Sequence, residues 1–244
     1  MNTHPAQRPA GKPKSEFSKA DPAIEIESGV PIPGRILPPE QWSKTALKKV
    51  PPGVLNWAEL FGRTAPVILD LGCGNGRFSL GSAVQRPDCD HFASDVLPVV
   101  IRYATRRGNQ RGLTNLRFAV IGARELLADH VPPHSVSEIH CYHPQPFVQS
   151  KFHRAQRTAG GPRLISADFL SLVRKALVPN GQLFLQTDNY DYWQQMLQLV
   201  RTEFDFHVRD SAWPETPEGR TRREILARKQ GLPIFRGSGR LRLE

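Results

Sequence analysis

Residues 67–76 read VILDLGCGNG. A short apolar run that contains the acid Asp70 is followed by three glycines at alternate positions. The apolar run is typical of a parallel strand buried on both faces. Glycines in this arrangement allow a tight turn and a close approach of the backbone to a ligand. The stretch therefore predicts a strand that ends at a ligand-binding turn, with a tighter spacing than the G-x-G-x-x-G of dinucleotide sites.

Strands and helices alternate along the rest of the chain. Predicted strands cover residues 67–71, 91–95, 116–120, 137–142, 182–187, 206–208 and 234–241. Predicted helices cover residues 78–85, 98–109, 124–129, 164–176 and 190–203. Strands that alternate with helices form mostly parallel sheets that are covered on both faces. We therefore predict an α/β fold, a Rossmann-like, doubly wound, mostly parallel seven-stranded sheet with helices on both faces.

The predicted domain organisation follows from composition. Residues 1–40 are rich in proline and polar side chains and lack periodicity, so we expect an N-terminal arm that is disordered or loosely packed. Residues 41–244 then form one α/β domain, which begins with short helical turns over residues 41–61. We expect this domain to be a monomer.

Signals for membranes, secretion and metals are missing from the sequence. No apolar run reaches the ~18–20 residues that cross a bilayer, and residues 1–5 lack a secretory pattern. The three cysteines, Cys73, Cys89 and Cys141, have no C-x-x-C or metal-ligand spacing. Such a set is typical of reduced thiols. We therefore expect a cytoplasmic protein with no membrane segment and no metal.

The net charge favours an anionic partner. The chain has 33 lysines and arginines against 23 aspartates and glutamates, which gives a formal charge of +10. The planar guanidinium of arginine suits phosphates and base edges, so nucleic acid is one interpretation. A solvated basic surface is the other interpretation.

A second acid indicates a nucleoside ligand. Asp95 ends the second predicted strand, where a carboxylate can accept hydrogen bonds from both hydroxyls of a ribose. The alternative is a helix cap ahead of Pro98. The order of strand, glycine turn, helix, strand and acid resembles that of class I methyltransferases, which bind S-adenosylmethionine. A nicotinamide oxidoreductase is the competing interpretation of the same order.

The fourth predicted strand leads into HPQPF, residues 143–147, and then into a basic stretch that contains Lys151 and Arg154. By the same resemblance, this strand end is where class I methyltransferases handle the methyl acceptor. Basic residues on a loop above a cofactor cleft can bind an RNA backbone. The alternative is a solvated basic loop.

Three further segments extend the resemblance: NLR at 115–117, TDNY at 187–190 and TRRE at 221–224. With HPQPF, they resemble the tRNA (guanine-N7-)-methyltransferase family. Its hallmarks are a Phe-Pro-Asp-Pro-Trp loop followed by basic residues, a Thr-Asp that closes the fifth strand, and a Thr-x-x-Glu near the C-terminus. The resemblance runs from about residue 66 to residue 240. It implies a tRNA (guanine(46)-N7)-methyltransferase that methylates a guanine of the variable loop, with tRNA as partner.

The glycine turn and the resemblance together assign roles to individual residues. The cofactor-binding residues are Asp70, Gly72, Gly74, Gly76, Asp95 and Gly122. The catalytic residues are Gln145 and Asp188. The substrate-binding residues are Lys151, Arg154, Asp188, Thr221, Arg222, Arg223 and Glu224. Gly122 and Gln145 stand where the family has acids, so this chain lacks two of the expected carboxylates.

Methylation of guanine N7 depends on positioning, because N7 already carries a free lone pair. Carboxylates can accept hydrogen bonds from guanine N1–H and N2–H₂ and leave N7 open, and we expect Asp188 and Glu224 to do so. Gln145 can accept a hydrogen bond but adds no negative charge. The alternatives are another class I methyltransferase for RNA or a small molecule, and a catalytically weak paralogue that binds RNA or cofactor.

Overall fold

The structure is a computed structural model that describes residues 23–47, 49–144 and 163–242. The strands of these ranges are β1 Ile26–Glu27, β2 Val30–Pro31, β3 Val67–Leu71, β4 Asp90–Asp95, β5 Leu116–Val120, β6 Val136–Tyr142, β7 Leu177–Thr187, β8 Phe204–Arg209 and β9 Phe235–Leu241. The helices are α1 Trp57–Phe61, α2 Arg77–Gln85, α3 Pro98–Gln110, α4 Ala123–Glu125, α5 Ala167–Ala176, α6 Tyr190–Glu203 and α7 Arg222–Lys229. A 3-10 turn covers Pro39–Gln41, and α4 continues as a π-helical turn over Leu126–His130. Among the helices of the described ranges, none combines the length and the apolar character that a bilayer crossing requires.

The main sheet has seven strands in the order β5-β4-β3-β6-β7-β9-β8. Strands β3 to β7 are parallel to one another, whereas β9 is antiparallel to both β7 and β8. This topology confirms the predicted doubly wound, mostly parallel α/β sheet. The chain proceeds outward from β3 to β5 and then returns to β6, so the strand order reverses between β3 and β6. Ligands of such sheets bind at the carboxyl ends of the strands that flank this reversal.

The two faces of the sheet are covered by different helices. All five residues of β3 are buried, as the unbroken apolar run predicted. On one face, Leu69 and Phe92 belong to a core that includes residues of α5 and α6. On the other face, Ala93 and Phe118 pack with Leu80 of α2 and with residues of α3. The carboxyl ends of β3 and β6, where a ligand is expected, therefore belong to a sheet that helices cover on both faces.

Residues 23–40 are packed on the domain, which corrects the prediction of a loose arm for this part of the chain. Ile32 is 1% exposed and belongs to the core under α2 and α3. Glu25 accepts hydrogen bonds from Arg107 at 2.8 Å and from Arg111 at 3.2 Å. Arg111 also donates to the carbonyl oxygen of Pro33 at 2.7 Å. One buried isoleucine and a set of ion pairs hold the segment, and neither produces a periodic pattern.

Strand β7 and helix α7 are two of the elements that differ from the sequence predictions. Strand β7 was predicted to begin at Gln182 after a turn, but it already begins at Leu177. The register between β6 and β7 shifts beside this segment, where Asn180 adopts a left-handed φ of 62°. The Pro179-Asn180-Gly181 turn signal is therefore an irregularity within the strand. Helix α7 was not predicted, although it carries residues assigned to the substrate.

Candidate functional site

The glycine turn after β3 is fastened to the end of β4. The backbone N–H groups of Gly72 and Cys73 both donate to the carbonyl oxygen of Ser94, at 2.8 Å and 2.9 Å. Gly72 and Gly74 have left-handed φ angles of 80° and 52°, which favour glycine. Within the described residues, no atom lies within 4 Å of the place where a Cβ at either glycine would stand. The turn therefore presents bare backbone to an open space.

Asp95 is held at the end of β4 by two backbone donors. The N–H of Gly74 donates to Oδ2 at 3.0 Å, and the N–H of Leu97 donates to Oδ1 at 2.9 Å. The N-cap of α3 is Leu97, so Asp95 is not the helix cap that the alternative interpretation required. Each carboxylate oxygen keeps a free lone pair, and a fixed carboxylate of this kind can accept from two ribose hydroxyls.

Asp70 is buried directly behind the turn and is 5% exposed. The hydroxyl of Ser79 donates to its Oδ2. Burial raises the pKa of Asp70 to about 7, the negative charge of Asp95 adds to the rise, and the hydrogen bond from Ser79 opposes it. A cation that binds beside Asp70 would favour the ionised carboxylate, because opposite charges stabilise each other. The site therefore fits a ligand with a positively charged end.

Gly76 has a packing function in the structure, and its predicted contact with the cofactor stays a prediction. It is buried at the start of α2 with a left-handed φ of 76°. A Cβ at this position would lie 2.8 Å from the Cβ of Ala104 and 2.9 Å from Cζ of Phe118. Glycine is required here because α2 approaches α3 and β5 closely.

Gly122 lies beside a carboxylate that the sequence analysis missed. An added Cβ at Gly122 would lie 3.7 Å from Cγ1 of Val96 and 3.9 Å from Oε2 of Glu125. Glu125 is exposed and lies three residues later, at the end of α4. A side chain three positions along a helix can occupy the same face. The carboxylate of Glu125 therefore lies close to the space that the side chain of an acid at position 122 would enter.

Asp188 follows β7 and is held between a histidine and an arginine. His143 Nδ1 lies 3.1 Å from Asp188 Oδ1. Arg223 donates to Asp188 Oδ2 through Nε at 2.9 Å and through Nη2 at 2.6 Å. Burial alone would raise the pKa of Asp188, but the hydrogen bonds from Arg223 and His143 outweigh it and lower the pKa below its ordinary value. Asp188 is therefore a fixed, ionised carboxylate.

A buried polar layer lies beneath this carboxylate. Gln186 is 0% exposed, and its Nε2 lies 3.0 Å from His143 Nε2 and donates to Glu224 Oε2 at 3.0 Å. Trp213 Nε1 donates to Gln186 Oε1 at 2.8 Å. The backbone N–H of Arg220 donates to Glu224 Oε2 at 2.8 Å. Gln186 and Trp213 could not be recognised as site residues from the sequence, because only the fold brings them under His143.

Glu224 has a position that differs from the prediction of direct substrate contact, whereas for Thr221 that contact stays a prediction. Glu224 is 0% exposed, so its carboxylate lies under the cleft rather than in it, and it also lies 3.2 Å from Arg236 Nη2. The hydroxyl of Thr221 accepts from the N–H of Glu224 at 3.1 Å. Thr221 is thus the N-cap of α7, and the Thr-x-x-Glu pattern marks the start of a helix. Arg222 is exposed beside them.

Three predicted site residues, Gln145, Lys151 and Arg154, lie outside the described residues, and their roles stay predictions. The other functional groups meet at one edge of the sheet. Asp70 of β3 pairs with His140 of β6, and the parallel register continues from β6 to β7. The glycine turn, His143 and Asp188 therefore follow the carboxyl ends of three adjacent strands, at the reversal of strand order.

Comparison with known proteins gives consistent matches. A family model described as "Putative methyltransferase" matches residues 64–236. A tRNA (guanine-N(7)-)-methyltransferase of Halorhodospira halophila is 31% identical over 186 residues, which cover 75% of this chain and 78% of that protein. A protein of the same name from Bordetella pertussis is 31% identical over 223 residues, which cover 83% of this chain and 84% of that protein.

A solved structure supports the fold. The crystal structure of the 16S rRNA methyltransferase KamB aligns with a TM-score of 0.57 at 16% sequence identity. The alignment covers 82% of this chain and 99% of KamB. At this level of identity the similarity shows a shared Rossmann-like methyltransferase fold.

Proposed function

We propose a function from the premise that this chain belongs to the tRNA (guanine-N(7)-)-methyltransferase family and is an S-adenosylmethionine-dependent methyltransferase. The proposed methyl acceptor is N7 of a guanine in tRNA. One observation carries the proposal. Asp70 and Asp95, which suit an adenosyl cofactor, and Asp188, which suits a guanine edge, lie at the carboxyl ends of the parallel strands β3, β4 and β7, on one edge of the sheet.

The cofactor-binding half of the site fits S-adenosylmethionine, which supplies an electrophilic methyl group when bound. Asp95 would accept hydrogen bonds from the ribose hydroxyls, and the backbone of Gly72 and Gly74 leaves room for the ligand. Asp70, which is buried behind the turn, would stabilise the positively charged aminopropyl end, and that charge would favour the ionised form of Asp70. Glu125 would accept from the exocyclic amine of the adenine and so replace the acid that Gly122 lacks.

The acceptor half of the site holds the guanine. Asp188 accepts hydrogen bonds from N1–H and N2–H₂, so that N7 faces the methyl group. Since N7 has a free lone pair, no residue of the chain has to remove a proton before transfer. The charge of Asp188 also stabilises the positive charge that develops on the methylated ring. The hydrogen bonds from His143 and Arg223 keep this carboxylate ionised and fixed.

Glu224 acts as a positioning residue in this proposal. It receives the amide of Gln186 and the backbone N–H of Arg220, and Gln186 in turn contacts His143. Its contribution to methyl transfer therefore passes through the orientation of His143 and Asp188. Gln145 stays a proposed acceptor-side residue on the resemblance alone.

The finer proposal is that the modified base is guanine 46 of the variable loop and that the enzyme works as a monomer. Purified protein should convert guanine to 7-methylguanosine in an unmodified tRNA transcript, as measured by nucleoside mass spectrometry with labelled S-adenosylmethionine. A transcript with adenine at position 46 should stay unlabelled if the finer proposal holds. Binding of cofactor and tRNA without any 7-methylguanosine would instead identify a catalytically weak paralogue.

Substitution of Asp188 tests the acceptor half. Asp188→Asn removes the negative charge, and we expect methyl transfer to fall about 10- to 100-fold, which corresponds to about 1.5–3 kcal/mol for a hydrogen bond to a charged group. Affinity for S-adenosylhomocysteine, measured by calorimetry, should stay unchanged. The matched control is Asp191→Asn, an exposed acid in the first turn of α6. An equal fall in cofactor affinity and transfer rate would contradict an acceptor-side role.

A further inference from the structure

A groove of about 540 Å³ opens beside the glycine turn, between α3 and the start of α7. Its walls include Arg102, Tyr103 and Arg106 of α3, Arg222 of α7, Asn75 of the glycine turn, and Glu27 of β1. We call it the arginine groove. Arg102 and Arg106 are four residues apart on a helix, so their side chains share one face.

The positive charge of the arginine groove is not compensated within the described part of the chain. Arg102, Arg106 and Arg222 are exposed, and none forms a hydrogen bond or ion pair with a described residue. Glu27 is already engaged, because it accepts from Asn75 at 2.8 Å and from Arg107 at 3.0 Å. Like charges four residues apart destabilise a helix. An anion bound between Arg102 and Arg106 would relieve this repulsion.

Tyr103 adds a flat surface to the charged groove. Its side chain is 45% exposed, and the guanidinium of Arg107 lies 4.2 Å from the ring centroid. Arg107 also donates to the Tyr103 hydroxyl at 3.0 Å, and it is itself buried and paired with Glu25. The ring is therefore held in place from the protein side while part of it stays open to solvent. Aromatic rings held in this way are platforms on which nucleic-acid bases stack.

Two residues of the arginine groove, Asn75 and Arg222, adjoin the candidate site in the chain. Arg222 and Arg223 are adjacent in the first turn of α7, and Arg223 binds Asp188. Asn75 belongs to the turn that faces the cofactor. A strand of nucleic acid whose guanine lies at Asp188 can therefore pass over Arg222 and continue along α3.

We propose that the arginine groove binds the backbone of the substrate RNA, with Arg102 and Arg106 on neighbouring phosphates and a base stacked on Tyr103. The inference rests on the proposed function, since it assumes that the acceptor is RNA. A set of arginines spread along a helix, with an aromatic ring between them, matches repeated phosphates and bases better than a single small anion.

The test compares tRNA binding of two double variants of the full chain loaded with S-adenosylhomocysteine. Arg102→Gln/Arg106→Gln removes the two α3 arginines. The matched control, Arg201→Gln/Arg242→Gln, removes two exposed arginines near the β8 edge of the sheet. Binding is measured by fluorescence anisotropy over a series of salt concentrations. We expect the groove variant to lower the salt slope of log affinity by about 0.7–0.9 for each arginine and the control to leave it unchanged.

The Tyr103 contact is tested separately. Tyr103→Phe keeps the ring and should bind tRNA as the wild type does, whereas Tyr103→Leu should weaken binding by about fivefold or more, because stacking of one base contributes about 1–3 kcal/mol. Calorimetry with S-adenosylhomocysteine verifies that each variant is folded. Equal salt slopes for groove and control variants, or equal affinities for Tyr103→Leu and Tyr103→Phe, would overturn the proposal.

The two proposals fail in different ways. Wild-type protein that binds tRNA through the arginine groove but forms no 7-methylguanosine would disprove the proposed function and leave the groove as an RNA site. Wild-type protein that methylates tRNA, with binding independent of Arg102 and Arg106, would disprove the groove alone.

Discussion

Asp70 and Asp188 are two carboxylates of one cleft whose pKa values move in opposite directions. Burial raises the pKa of Asp70 to about 7, because its polar partner is a single hydroxyl. Burial also acts on Asp188, but the hydrogen bonds from Arg223 and His143 reverse the effect and lower its pKa. The charge of Asp188 is thus present at neutral pH without ligand, whereas the charge of Asp70 depends on what binds beside it.

Cofactor affinity should therefore rise with pH up to about 7. Below this pH, Asp70 is protonated in the free protein, and the ammonium group of the cofactor must displace that proton. Affinity should rise by up to about tenfold per pH unit and then level off. Calorimetry in two buffers of different ionisation enthalpy measures the proton released, and Asp70→Asn should bind weakly and without this pH dependence.

The same shift predicts a loss of stability with rising pH. Folding raises the pKa of Asp70 from 3.8, so between that value and about 7 the folded protein holds a proton that the unfolded chain has released. The contribution of this group to the free energy of unfolding therefore decreases as pH rises through that window. For the preceding prediction, an affinity for the cofactor that is the same below and above neutral pH would show that protonation of Asp70 does not affect cofactor binding.

The proposed role of Glu125 is to supply the carboxylate that Gly122 lacks. Glu125→Ala should weaken binding of S-adenosylhomocysteine by about fivefold, the effect of about 1 kcal/mol for one hydrogen bond. An analogue that lacks the exocyclic amine of adenine should show no such loss. Gly122→Asp in the Glu125→Ala background should restore affinity. The control is Asp129→Ala, an exposed acid of the following π-helical turn. If Glu125→Ala loses equal affinity for S-adenosylhomocysteine and for the analogue without the amine, the proposed hydrogen bond between Glu125 and the adenine is contradicted.

Individual elements show where the sequence was informative. The bounds predicted for β3, β5 and α6 agree with the structure, because each is an apolar pattern bounded by a turn or a cap. Helix α7 was missed because its sequence, RREILARK, is mostly charged. Its start signal, Thr221 and Glu224, was assigned to the substrate instead of to a helix cap.

Substitution of Gly76 tests how much the close packing of α2 against α3 and β5 contributes to stability. Gly76→Ala should lower the free energy of unfolding by about 2–4 kcal/mol, since the new Cβ overlaps Ala104 and Phe118 and the φ angle is left-handed. Gly53→Ala is the matched control, with a φ of 75° and open space around the added atom. It should cost only the backbone strain, about 1 kcal/mol. Urea denaturation of both variants checks the difference, and equal losses would exclude the packing role of Gly76.

At the scale of the whole molecule, long-range contacts explain what the sequence could not predict. Asp70 and Asp95 were predicted as site residues from their places at strand ends and Asp188 from the family resemblance, and the structure places all three at one edge of the sheet. The burial of Glu224 depends on Gln186 of β7 and Arg236 of β9, which are distant in sequence, as well as on the backbone of nearby Arg220. Contacts of this kind leave no periodic signal in the sequence.

The ion pairs of the N-terminal segment should contribute to global stability. Burial alone would raise the pKa of Glu25, but Arg107 and Arg111 outweigh it and lower the pKa. The pairing therefore stabilises the protein above the unfolded pKa of the carboxyl, near 4.5, and is lost as pH falls through the lower folded value. Glu25→Gln should lower the free energy of unfolding by about 1–2 kcal/mol at neutral pH.

The control for this prediction is Glu40→Gln, an exposed acid in the 3-10 turn of the same segment. Urea denaturation at neutral pH and in acid measures both variants. The difference between the wild type and Glu25→Gln should shrink in acid, and a difference that is constant with pH would rule out an electrostatic origin.

In the buried polar layer under Asp188, each hydrogen bond has a defined donor and a defined acceptor. An indole N–H is only a donor, so Trp213 requires the oxygen of the Gln186 amide to face it. The amide nitrogen must then face His143 and Glu224, and His143 Nε2 has to accept. His143 consequently carries its proton on Nδ1 and donates it to Asp188. A buried tryptophan beneath the cleft thus selects one tautomer of the histidine, and the imidazole in turn orients Asp188.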